Sequence, residues 1–259
     1  MDSSSRRIEI FNILSETKKV NVNDLADKFC VTTMTIRRDL KQLEKQGIVS
    51  LYYGGATLNE NGSIETSFMM RKPKQANEKY YIAYKASKYI QDGDTVYIDG
   101  GSTCYYICNF LKNKNITVLT NSIRTVELLK ECNNVKVILA PGEYSKVQEI
   151  TVGYSTISFL LQHHVNKAFI STTGISIEEG LTMSDEAEAQ LKRKVLEIAD
   201  IKILLVDHSK FNHKYFVNHG KLKDFDVVIT DDKTSQKDIN AIKQMGIKVD
   251  IVYLDKTNI

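Results

Sequence analysis

From Glu78 to the end of this 259-residue chain, short β-branched runs alternate with amphipathic helical segments, and that alternation constrains the fold more than any other feature. Thr95–Ile98, Ile116–Leu119, Val135–Leu139, Lys167–Ser171, Ile203–Val206, Val227–Ile229 and Lys248–Val252 read as strands. Residues 78–90, 102–112, 122–131, 154–163, 186–199 and 235–245 carry helical periodicity. Apolar strands separated by helices predict an α/β domain, an open and mostly parallel sheet covered on both faces. In such sheets ligands bind in the crevice outside the carboxyl ends of the strands.

Polar and glycine-rich residues gather at those ends. Asp99-Gly100-Gly101-Ser102-Thr103 follows TVYI, Asn121-Ser122 follows TVLT, and Pro141-Gly142 follows VKVILA. Thr172-Thr173-Gly174 follows KAFIS, and Asp207-His208-Ser209-Lys210 follows ILLV. The loop at Gly100–Thr103 opens a helix, so its N–H groups and hydroxyls can cradle a phosphate or another anion. A tight strand-to-helix turn is the simpler use of two glycines. The loop lacks the third glycine of a dinucleotide fingerprint and the Gly-Lys-Ser/Thr of a triphosphate loop, so no cofactor is expected. Lys192 and Lys210 are the candidate cations for an anionic ligand. Glu188 and Lys192 stand four residues apart, and such a pair can also be a helix-surface contact worth roughly 0.2–0.5 kcal/mol. Lys210 sits in a strand-end loop beside Ser209, at the crevice itself.

The first 58 residues follow a different plan. A helix from about Arg6 to Thr17 gathers Ile10, Phe11, Ile13 and Leu14 on one side. A second helix, capped by Asn23 or Asn21, carries Val22, Leu25, Ala26 and Phe29. After a break at Cys30 and Val31, Thr32 caps a third helix that runs to about Gln46 and stops at Gly47. In that third helix Ile36, Leu40 and Leu43 form one stripe, and Met34, Arg37, Arg38 and Lys41 form another. At about 100° per residue the two stripes lie on opposite sides. One side anchors in a core while the other offers three cations, which suits the major groove of DNA. A solvated basic face is the bland alternative. Two features favour DNA: the helix–short turn–helix spacing, and IVSLYYGGATL, which reads as a β-hairpin wing with Gly54-Gly55 at a turn or bulge.

Residues 59–77 lose the pattern; NENGS is polar and Pro73 is one of two prolines, so the stretch reads as a linker between residues 1–58 and 78–259. The apolar fraction of 42% and charged fraction of 26% are those of a globular protein. A net charge of +3 is too small to argue for nucleic acid by itself, so the position of the charges has to make the case. No apolar run approaches the ~18 residues of a membrane span. The start, MDSSSRRIEI, lacks the core of a secretory signal, so a cytoplasmic location is expected. Cys30, Cys104, Cys108 and Cys132 follow no disulfide spacing and read as free thiols. Cys104 and Cys108 are helical neighbours without a third ligand beside them, so no metal site is expected.

VNVNDLADKFCVTTMTIRRDLKQLEKQGIV, followed by GGA, resembles the helix-turn-helix signature of the DeoR family of transcription regulators. The resemblance implies DNA contacts from Thr33, Thr35, Arg37 and Arg38, with Arg6 or Arg7 touching a backbone phosphate; Met34 and Lys41 of the same stripe and the wing residue Tyr53 are expected to join them. The wing departs from the family pattern: Ser50, Leu51, Tyr52 and Tyr53 precede the glycines where arginine and histidine are usual. DGDTVYIDGGST, TVLTNS, KAFISTTGI, EAQLKR and LLVDHSKF resemble the family's sensor domain, related in fold to ribose-5-phosphate isomerase. That implies an effector pocket lined by Asp99, Gly100, Gly101, Ser102, Thr103, Asn121, Gly174, Glu188, Lys192 and Lys210, and Ser122, beside Asn121 at the same strand end, is expected with them. Cys104 and the APGEY stretch around Gly142 depart from the pattern.

The expected protein is therefore a repressor of a sugar operon that binds double-stranded operator DNA as a homodimer or homotetramer and senses a phosphorylated sugar. Two alternatives stand beside it. An isomerase needs a carboxylate base, and Asp99, Asp185, Glu186, Glu188 and Asp207 could supply one, but Ser171–Gly174 contains no acid. The second domain could also serve oligomerisation alone.

Overall fold

The computed structural model describes residues 2–45, 48–58 and 68–254 and divides the chain into two compact units, Met1–Pro73 and Lys74–Ile259. The helix stop expected at Gly47 and the NENGS stretch lie outside the described residues.

The first unit contains α1 (Ser3–Thr17), β1 (Lys19–Asn21), α2 (Val22–Phe29), α3 (Thr33–Lys45), β2 (Val49–Tyr52), β3 (Gly55–Leu58) and α4 (Phe68–Arg71). Asn21 caps α2, its side chain accepting from the Asn23 N–H at 2.8 Å. Cys30 ends α2 in the left-handed conformation, its N–H returning to the Ala26 and Asp27 carbonyls. Thr32 Oγ1 accepts from the Thr35 N–H at 3.2 Å and opens α3. Ile36, Leu40 and Leu43 are buried against Ile10, Phe11, Leu14 and Leu25, so the apolar stripe of α3 is its core side. The wing is an antiparallel sheet of order β1-β3-β2. Its third strand, β1, was not expected, because three residues take extended form here only through pairing with β3.

Within the stretch expected to be a linker, residues 68–71 are helical and Met70 is buried in the core of the first unit. The polar composition of residues 59–77 hid Phe68 and Met70, two side chains large enough to dock a single turn.

The second unit begins with α5 (Ala76–Ser87) and continues with β4 (Thr95–Ile98), α6 (Ser102–Tyr105), β5 (Ile116–Thr120), α7 (Ile123–Leu129) and β6 (Val135–Leu139). A hairpin of β7 (Glu143–Ser145) and β8 (Ile150–Val152) follows, then α8 (Tyr154–Leu160) and β9 (Val165–Ile170). Next come β10 (Gly174–Ser176), β11 (Gly180–Met183), α9 (Glu186–Val195), β12 (Ala199–Leu205) and β13 (Val217–Gly220). The last elements are β14 (Val227–Asp231), α10 (Gln236–Gln244) and β15 (Lys248–Val252).

Seven strands form one sheet in the order β15-β14-β12-β9-β4-β5-β6, with every neighbouring pair parallel. Alternate side chains leave on opposite faces. Tyr97, Leu119, Ala168, Ile170 and Leu204 join α8, α9 and α10 in one core. Val96, Ile98, Phe169, Ile203 and Leu205 join α5, α6 and α7 in the other. Two buried faces explain why the strands read as unbroken apolar runs.

The helix expected over 102–112 is one α-turn, α6, followed by a 3-10 helix at Tyr106–Phe110. Two small sheets were not foreseen: the β7–β8 hairpin, and β10-β11-β13.

Candidate functional site

On the first unit, the surface of α3 opposite its buried stripe is polar and cationic. Met34 is 74% exposed, and Thr33, Arg37, Arg38 and Lys41 are exposed with it, while Thr35 is half-buried. Asp39 is the one acid between these cations in α3, and it is buried. Arg6 Nε lies 2.6 Å from Asp39 Oδ2, and Arg7 Nη1 lies 3.5 Å from Oδ1. The Arg6 guanidinium, expected at a DNA phosphate, is thus turned inward and spent on Asp39. Sequence spacing could not reveal this, because the partners are 33 positions apart. The pair removes negative charge from the cationic face and ties α1 to α3. At the tip of the wing Tyr53 is wholly exposed, and Gly54 takes φ +91°, which favours glycine.

On the second unit the chain runs outward from β4 through β5 to β6, then returns to place β9 beside β4 and runs outward the other way. The topological switch point, where loops diverge and leave a crevice, is therefore between the carboxyl ends of β4 and β9. Asp99 follows β4 there, and Ser171 follows β9. Asp99 Oδ2 accepts from the Ser171 N–H at 3.1 Å, the Ser171 hydroxyl at 2.9 Å and Lys192 Nζ at 2.7 Å. Lys192 Nζ also donates to the Ser171 carbonyl at 2.7 Å and stands 3.2 Å from Glu188 Oε1. Asp99, Glu188 and Lys192 are all buried. Burial raises the Asp99 pKa, but the Lys192 charge and its hydrogen bonds outweigh that and hold the carboxyl below its ordinary value. Burial lowers the Lys192 pKa, and the Asp99 and Glu188 carboxylates more than restore it. The group is a charged triad, not the exposed i,i+4 pair that spacing alone allows.

The other expected residues surround this triad in different states. A Cβ on Gly101 would overlap the Ser171 hydroxyl, so glycine permits the β4 and β9 ends to close on each other. Ser102 and Thr103, in α6, are buried. Gly100 abuts Ile150 of the β7–β8 hairpin. Asn121 is fully buried, accepting from the Tyr97 hydroxyl at 2.9 Å and donating to the Thr151 carbonyl at 3.0 Å. Ser122 caps α7 through the Thr125 N–H at 3.2 Å. Both side chains are thus engaged in holding the hairpin and α7. Gly174 opens β10 against the His213 carbonyl. Lys210 is half-buried and ends the 3-10 turn His208–Lys210, beside β12.

The sequence places Thr172 and Ser171 at a strand end without a pocket role, and gives no signal for His219. His219, on β13, is fully buried, with Nε2 2.7 Å from Thr172 Oγ1. Its Nδ1 has no partner among the described residues. Burial and then the Lys192 charge lower its pKa from 6.5 to about 3, so the ring is neutral. Asp207 follows β12, the strand on the other side of β9. Its Oδ1 accepts from the Ser209 N–H at 3.0 Å and from the Ser209 hydroxyl, while buried Oδ2 has no partner among the described residues. A lone histidine in a polar stretch gives no signal by itself; only the β11–β13 pairing carries it to Thr172. Among the described residues no helix is long and apolar enough to cross a membrane.

The model of the DeoR-like helix-turn-helix domain matches residues 6–62, and that of the DeoR C-terminal sensor domain matches residues 74–232. An uncharacterized HTH-type transcriptional regulator of Bacillus subtilis (strain 168), YulB, is 32% identical, with 98% of each chain covered. The glycerol-3-phosphate regulon repressor of Escherichia coli (strain K12) is 32% identical over 89% of this chain and 92% of its own. Among solved structures, ribose 5-phosphate isomerase A of Methanocaldococcus jannaschii aligns with a TM-score of 0.38 and 18% identity, covering 52% of this chain and 54% of that one. At that score the likeness carries no argument about activity. The two domain matches cover most of the chain, and the chain belongs to the DeoR family of transcription regulators.

Proposed function

We propose that this regulator represses a carbohydrate operon, binding double-stranded operator DNA through α3 and losing affinity when a phosphorylated sugar occupies the second unit. The observation that carries the reading is the face of α3: Arg37, Arg38 and Lys41 lie exposed on one side, while Ile36, Leu40 and Leu43 are buried on the other. Such a helix has its orientation fixed by its core and its cations free for base edges and phosphates. Thr33, Met34 and Thr35 at its start are placed to meet bases first.

The switch point between β4 and β9 is the seat for the effector. Asp99, through its charge, and Gly100–Thr103, through backbone and hydroxyl groups, face a sugar there, and Lys210 approaches from β12. Lys192 holds Asp99 in place instead of standing ready for the phosphate. The same arrangement argues for a regulator without catalytic activity of its own. A general base must accept a proton from its substrate, and a carboxylate held by an ammonium at 2.7 Å is a weak base. The roles of relatives point the same way, since a glycerol-3-phosphate regulon repressor and a lactose phosphotransferase system repressor are among them. A homodimer or homotetramer would set recognition helices on paired half-sites, and the cytoplasm is where such an operator is met.

The test is titration of the purified chain with panels of pentose, hexose and triose phosphates by calorimetry, with and without operator duplex. Binding of one sugar phosphate that weakens DNA affinity supports the reading. A protein that binds DNA yet ignores every phosphate rejects the sensor half alone.

A further inference from the structure

The gap between α3 and the wing is a groove of about 220 Å³. Arg37 and Lys41 line it from α3, and Leu51, Tyr52 and Tyr53 line it from the hairpin. One wall is therefore cationic and the other apolar. That combination fits a single sugar–phosphate strand, with phosphate toward the cations and deoxyribose toward the apolar wall. Neither Arg37 nor Lys41 is joined to an acid in a salt bridge among the described residues, so both cations are available to that strand.

The hairpin is built to present its tip in one shape. The Tyr52 hydroxyl donates to the Val20 carbonyl at 2.9 Å, and Lys19 Nζ stands 4.6 Å above the Tyr52 ring. A Cβ at Gly55 would overlap that carbonyl and that hydroxyl, and Gly54 turns the chain at φ +91°. Tyr52 is exposed but held by its hydroxyl to the Val20 carbonyl, and Tyr53 is the side chain the turn leaves wholly exposed. An aromatic ring held at a rigid tip gains by being covered, and little ordering cost remains when it is.

We propose that one strand of the operator duplex threads this groove and that the Tyr53 ring enters the minor groove beyond it as an apolar wedge. The inference rests on the DNA-binding reading above. With α3 in the major groove, the strand that divides the two grooves passes between helix and hairpin, and a turn projecting past it faces the minor groove. A cation at this tip would act through phosphate charge and counterion release. A tyrosine ring acts through the width and deformability of the step it enters, and so selects easily opened A·T-rich sequence flanking the block read by α3.

The test is selection of duplexes from a random-sequence library by the full chain and by its Tyr53→Phe, Tyr53→Ser and Tyr53→Arg variants, followed by salt titrations on the wild-type site. Wild type and Tyr53→Phe should both recover an A·T-rich segment flanking the helix-read block. Tyr53→Ser should keep the block, lose the flanking preference, and bind on the order of tenfold more weakly with an unchanged salt slope. Tyr53→Arg should steepen the slope by about one charge. The inference is overturned if Tyr53→Ser keeps both affinity and flanking preference, or if Tyr53→Phe loses as much as Tyr53→Ser, which would assign the contact to the hydroxyl. If no chain enriches any duplex, the DNA-binding reading falls as well.

Discussion

Acidification should destabilise the second unit through His219, and the size of the effect follows from its surroundings. The ring is buried and neutral, with a pKa of about 3 in the folded chain against 6.5 for a free histidine. A depressed folded pKa means that the unfolded chain takes up a proton that the native chain refuses. The contribution is therefore fully present above about pH 6.5 and is lost progressively as pH falls toward 3. At about pH 5 the unfolded state has gained about 2 kcal/mol from this one histidine, relative to neutral pH. His219→Gln removes the titration while leaving an amide that can still reach Thr172 Oγ1. The assay is urea unfolding of the second unit at about pH 8, 6 and 5 for both proteins, with stability compared as differences at each pH. The wild type should lose about 2 kcal/mol more than His219→Gln between the extremes. Equal losses would refute the account of a buried neutral ring, because the remaining carboxylates are common to both chains.

Other perturbations separate the remaining parts of the account. Asp39→Ala leaves the Arg6 guanidinium buried without its partner and should cost about 3–5 kcal/mol in unfolding of the first unit; a change below about 1 kcal/mol would show that Arg6 finds water instead. Gly101→Ala drives a Cβ into the Ser171 hydroxyl, so it should lower the melting temperature of the second unit and abolish effector binding, as calorimetry would read. Lys210→Ala should leave operator binding intact and remove the response to metabolite, measured by fluorescence anisotropy of labelled duplex; a variant responding at the wild-type effector concentration rejects Lys210 as a ligand.

Much of this architecture can be read directly from residue patterns, for identifiable reasons. Thr95–Ile98, Val135–Leu139 and Lys248–Val252 have the same limits in sequence and structure, because β-branched residues recur through each of these short runs. The stripes of α3 separate cleanly because a helix fixes its faces by spacing alone. The three-residue strands β1, β7, β8 and β10 carry too few residues for periodicity, β11 and β13 each include a glycine that breaks the pattern, and only their partners make them extended. Charge partners are harder still. Arg6 looks like a phosphate ligand until Asp39 is found beneath it, and Glu188–Lys192 looks like a surface pair until Asp99 arrives from 93 positions away. Those contacts depend on which strand ends meet, and no local pattern encodes that.

The central claim is that α3 reads DNA under the control of a metabolite bound at the β4–β9 switch point. Its most direct test is titration of the purified chain, and of Arg37→Ala, onto duplex from upstream of its own gene and onto a scrambled duplex, at several salt concentrations, with and without sugar phosphates. The account predicts that the wild type prefers the native duplex, with steep salt dependence from counterion release, and that one sugar phosphate weakens that preference. It also predicts that Arg37→Ala stays folded but loses the preference. Equal, weak binding of both duplexes by the wild type, or undiminished preference in Arg37→Ala, would contradict it.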